Sequence, residues 1–106
     1  MNRAAELLRF ESRMFRLEHE ILSLKFMIEE SKPDVRAEYY KYVRLLRSRY
    51  GNLQSQLTAF KGDLTNIPKE KFTTIDQALN ELSLLVGSTS AMLRLRLAEA
   101  TYPNVV

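Results

Sequence analysis

The chain contains no cysteine, so it offers neither a disulfide framework nor a thiolate nucleophile or metal ligand. Its one histidine, His19, excludes di-iron bundle chemistry, which requires two Glu-x-x-His motifs; the residue three before it is Arg16. With three glycines in 106 residues there is no glycine-rich phosphate loop, and no Ser/His/Asp spacing stands out. Neither an enzymatic activity nor a cofactor nor a bound metal is expected. Long apolar runs are missing too. The longest uncharged apolar stretch, Leu82 to Leu93, is too short to span a bilayer, and Arg3, Glu6, Arg9 and Glu11 interrupt the region where a signal peptide needs an apolar run. A soluble, cytoplasmic protein is the expectation. Three prolines and three glycines also leave little material for turns, which points to a few long helices.

Apolar residues at alternating steps of three and four are abundant. Leu7, Phe10, Met14, Leu17, Ile21, Leu24 and Ile28 form one such run; Tyr39, Val43, Leu46, Tyr50, Leu53, Leu57, Phe60, Leu64 and Ile67 form a second. Against a 45 % apolar background, such an unbroken match arises by chance on the order of a few times in a million in one fixed register. The pattern is that of helices packed along an a/d seam. Facing residues in an antiparallel hairpin have numbers of constant total, and the two runs meet this condition layer by layer. Ile28 falls opposite Tyr39, Ile21 opposite Leu46, Leu17 opposite Tyr50 and Leu7 opposite Phe60. On the flanks Glu18 lies near Arg47 and Glu20 near Arg49, while Glu11 and Arg13 meet the neutral Gln54 and Gln56; these pairs disfavour other registers.

The reading is all-α: a long antiparallel hairpin joined by a third helix into one domain of 106 residues. Helix 1 covers about residues 2–31, helix 2 about 34–62 and helix 3 about 74–101. Lys32-Pro33 ends the first, since proline removes an amide donor and biases the preceding residue away from helical geometry. Ser31 is the expected N-cap of the second. Thr74-Ile75-Asp76-Gln77 reads as a capping box for the third, whose apolar face includes Ile75, Leu79, Leu82, Val86 and Leu93. Gly87-Ser88-Thr89-Ser90 marks either a close helix contact or a break, and a continuous or kinked helix is the expected form.

Three features are candidate sites. Leu8, Phe15 and Leu22, with Phe26 nearby, form a second apolar stripe on helix 1 that a two-helix hairpin leaves in water. The expectation is that helix 3 covers most of it; otherwise it is a surface for a protein partner or for a second copy. The formal charge of +3 is concentrated in residues 33–62, where six Lys/Arg face two Asp/Glu. Arg47 and Arg49 are assigned to the flanks, leaving Arg36, Lys41 and Arg44 as a candidate patch for nucleic acid or another anionic surface. His19 lies away from the seam. Its context, Glu18-His19-Glu20-Ile21, resembles the H-box of histidine-kinase dimerisation and phosphotransfer helices over His19, Glu20 and Ile21. That resemblance implies a phosphoacceptor role for His19. The box continues in that family with a polar residue and a proline, where this chain has Leu22, Ser23 and Leu24. The functional expectation is a non-enzymatic, coiled-coil-type interaction and assembly module that forms a homodimer, with His phosphotransfer and anion binding as the alternatives.

Overall fold

The computed structural model describes the backbone of residues 2–101 and the side chains of residues 2–99. It is an all-α three-helix bundle: α1 spans Arg3–Glu29, α2 Pro33–Gly62 and α3 Lys69–Thr101, with a single 3₁₀ turn, Leu64–Asn66, between the last two. The helices run up, down and up in a rod of 63 × 20 × 17 Å. Among the described residues no helix is long and apolar enough to cross a membrane.

The core is one continuous cluster along the rod. Leu7, Phe10, Met14, Leu17, Ile21, Leu24 and Ile28 of α1 are buried, as are Tyr39, Val43, Leu46, Leu53, Leu57 and Phe60 of α2. Tyr50, in the middle of the second run, is half-buried and donates its hydroxyl to Glu18 Oε2 at 3.2 Å. A third heptad run completes the interior: Phe72, Ile75, Leu79, Leu82, Val86, Thr89 and Leu93 are all buried. The one polar member, Thr89, satisfies its hydroxyl by donating to the Leu85 carbonyl at 2.8 Å, so its burial leaves no unmade hydrogen bond.

Two helix starts differ from what local signals indicate. The N-cap of α2 is Lys32 with Pro33 as the first helical residue, and Ser31 instead donates its hydroxyl back to the Met27 carbonyl of α1. Proline suits that first position because the amide it lacks would have no intrahelical partner. Helix α3 begins at Lys69, more than a turn before Thr74. Thr74 is helical and bonds the Glu70 carbonyl, so the capping box is not used. The extra turn exists because Phe72 must enter the core: its ring stands 6.1 Å from that of Phe10 and 5.5 Å from that of Phe60. Gly87-Ser88-Thr89-Ser90 lies within uninterrupted helix.

The link from α2 to α3 is held by local polar bonds and one apolar plug. Asp63 accepts from the Thr65 hydroxyl at 3.0 Å and from the Asn66 amide at 2.6 Å, and these bonds lower its pKa. Arg3 donates to the Leu64 carbonyl at 2.8 Å and lies over the Phe72 ring, while Ile67 is buried beneath.

Truncating Ile21 or Leu46 to Ala should destabilise the bundle by about 2–5 kcal/mol, whereas Lys41→Ala should stay within about 0.5 kcal/mol. Gly51 and Gly87 run the other way. Both are helical, and a methyl group at either would meet nothing within 4 Å. Gly51→Ala and Gly87→Ala should each raise stability by about 0.5–1 kcal/mol, read as higher midpoints in urea at unchanged slope.

Candidate interaction surface

Where α3 packs decides which surface stays open. Each seam of α1 and α2 has two flanks, and α3 takes the same one on both. On α1 that flank carries Arg13, which bonds Asp76 at 2.9 Å and Asn80 at 2.5 Å. It also carries Glu20, which lines a groove of about 470 Å³ together with Arg94 of α3. On α2 the same flank carries Arg49, which lines the α2/α3 groove beside Glu81. Arg13 and Glu20 are thus turned towards α3 rather than towards Gln56 and Arg49, because a third helix seated on that side supplies partners of its own. On the opposite flank Glu11 reaches Lys61 at 3.0 Å, two helical turns beyond Gln54. Glu18 shares its groove with Arg47 and Tyr50.

The expectation that the third helix covers the second stripe of α1 is corrected by this placement. Leu8 is 66 % exposed, Phe15 73 %, Leu22 41 % and Phe26 62 %. The seven-residue repeat of Leu8, Phe15 and Leu22 turns them about the helix axis away from the α3 side. Phe15 and Leu22 border adjoining shallow grooves of about 240 and 300 Å³ between α1 and α2. The floor there is built from Met14, Ile21, Tyr50 and Leu57, and the rim from Glu11, Glu18, Arg47 and Lys61. Burial, followed by the adjacent Glu18 carboxylate, holds the Tyr50 hydroxyl pKa above its ordinary value.

A smaller apolar patch, Leu84, Met92 and Leu95 on α3, is also exposed. Their signal in the sequence is only that Leu84 and Met92 fall between members of the Phe72–Leu93 run and Leu95 just beyond it; the run becomes regular once Thr89 is counted as a layer.

The other candidates are placed as follows. His19 is exposed and borders the α1/α3 groove, whose wall includes Ser23, Gly87, Ser90 and Arg94. Lys41 and Arg44 are exposed and Arg36 is half-buried. The Lys41 ammonium stands 5.2 Å from the Tyr42 ring. At 100° per residue these three cations spread over more than a third of the helix circumference, so they do not form one stripe. Among the described residues no three His, Asp or Glu side chains gather as a metal site. Comparison with models of protein families, with characterised proteins and with solved structures finds no match to this chain.

At the far end of the rod Arg96 of α3 clamps the first two turns of α2, bonding Asp34 at 2.9 Å and Glu38 at 3.3 Å. The Asp34 pKa lies below the ordinary carboxylate value, first because its carboxylate accepts from the Val35 amide at the positive end of α2 and then because of Arg96. A depressed carboxyl pKa contributes stability above the unfolded value, and the contribution is lost as pH falls through the folded one. An NMR pH titration should therefore find Asp34 below the ordinary range. Arg96→Leu should move it only part of the way back, because the Val35 amide remains.

Proposed function

We propose that this chain is a non-enzymatic helical interaction module that assembles with a second copy of itself by coiled-coil-type packing. The observation that carries this reading is the row Leu8, Phe15, Leu22 and Phe26, exposed in register along α1 and edged by charge. Scattered exposed leucines are ordinary on a folded surface; a contiguous apolar row rimmed by polar groups is how association faces are built. The shape of the rod adds to the case. At 63 × 20 × 17 Å the molecule has much surface for its volume, and a second apolar stripe shared between copies removes the most costly part of it from water.

Sedimentation equilibrium at micromolar concentration should give a mass near twice the 12.4 kDa of the chain. Phe15→Glu should shift it towards 12.4 kDa with the far-UV circular dichroism spectrum largely unchanged. A single species of 12.4 kDa across the concentration range would contradict self-association.

A second reading, phosphotransfer through His19, is favoured by one observation: the exposed imidazole edges the same groove as the Arg94 guanidinium. An arginine there would suit a phosphoryl group. Phosphate uptake from a phosphorylated donor, lost in His19→Ala, separates it from the first.

A further inference from the structure

Resting on the self-association reading, we infer that two copies pair antiparallel through α1, with the two-fold axis passing beside Phe15. A two-fold interface is made of one patch used twice: if residue i meets residue j of the other copy, then j meets i. Between two antiparallel copies of one helix, the patch must therefore read the same in both directions about a central residue. The open stripe of α1 does so. Leu8 and Leu22 lie seven residues either side of Phe15, and Ala4 and Phe26 lie eleven either side. All five are exposed. Leu8 then meets Leu22 of the second copy, Phe15 meets its own symmetry mate, and the large Phe26 closes over the small Ala4.

Size complementarity at the ends separates this arrangement from a parallel one. Parallel pairing sets Phe26 against Phe26 and Ala4 against Ala4, which overfills one end and leaves a gap at the other. Charge on the α2 side of the stripe is balanced in the antiparallel form. Glu11 of one copy faces Glu18 of the other on the α2 side of the stripe. Each protomer also brings Lys61, 3.0 Å from Glu11, and Arg47, in the groove with Glu18, to that flank. Acids and bases there are equal in number. The four large side chains expose on the order of 400 Å² per protomer, about half of the roughly 800 Å² per partner of a stable interface. An apolar share of that size is ordinary for a protein–protein interface.

Because the chain has no cysteine, single substitutions report the pairing directly. Under mild oxidation, Phe15→Cys should crosslink to itself. Leu8→Cys and Leu22→Cys should each fail alone, since their symmetry mates stand about 21 Å apart along the helix, well beyond the 7 Å or so a disulfide tolerates. Mixed together, these two variants should give the Leu8–Leu22 disulfide as the main product. If Leu8→Cys and Leu22→Cys each crosslink alone and the mixture yields no mixed product, the helices are parallel and the inference is wrong, while self-association stands. Dimers by sedimentation with no crosslink at any of the three positions place the interface on another face and also overturn it. A wild-type chain that stays at 12.4 kDa removes the underlying reading itself.

Discussion

The bundle depends on a constraint that each helix imposes on the next: an apolar side chain appears every three and then four residues, and both sides of every such row must leave water together. Where α1 and α2 face each other, the rows from Leu7 to Ile28 and from Tyr39 to Phe60 satisfy it by being buried in one cluster. A shift by a single residue would rotate the row out of the interface. The third row, from Phe72 to Leu93, is recruited by the same requirement, since two helices leave half of each seam residue uncovered. Thr89 shows how strict it is. A hydroxyl is accepted at a core position, provided it is returned to the backbone of its own helix.

The choice of side by α3 follows from contacts at both ends of the rod. Near the start of α1, Phe10, Phe60 and Phe72 form an aromatic cluster beside Arg3, and Arg13 ties down Asp76. Near the start of α2, Arg96 binds Asp34 and Glu38. Between these fastenings α3 can lie on only one flank of the hairpin, and the stripe centred on Phe15 remains on the other. The open apolar face is thus the necessary complement of the way the core is closed.

Much of this was legible in the residues themselves, because periodicity is a local property. The seams of α1 and α2, the break at Lys32-Pro33 and the all-α architecture follow from spacing and from proline chemistry alone. The start of α3 was not legible, since Thr74-Ile75-Asp76-Gln77 is a sound local cap that loses to the burial of Phe72 more than sixty residues from its partner Phe10. The flank partners of Arg13 and Glu20 were misplaced for a related reason: a two-helix picture assigns both flanks to the hairpin, whereas α3 takes one; Glu11, on the open flank, does line a groove with Gln54 and adds an ion pair with Lys61. Whether Leu8, Phe15 and Leu22 were covered could not be read from periodicity, which shows that a row is apolar without showing what lies against it.

The up-down-up course has a mechanical consequence. The amino end of α1 lies beside the start of α3, and the carboxyl end of α3 lies beside the turn between α1 and α2, so the two outer ends of the bundle are at opposite poles of a 63 Å rod. A force applied between those poles runs along the seams instead of across them. It loads the a/d layers in shear. Resistance to such a pull is set by the rate at which the bundle unfolds rather than by its equilibrium stability.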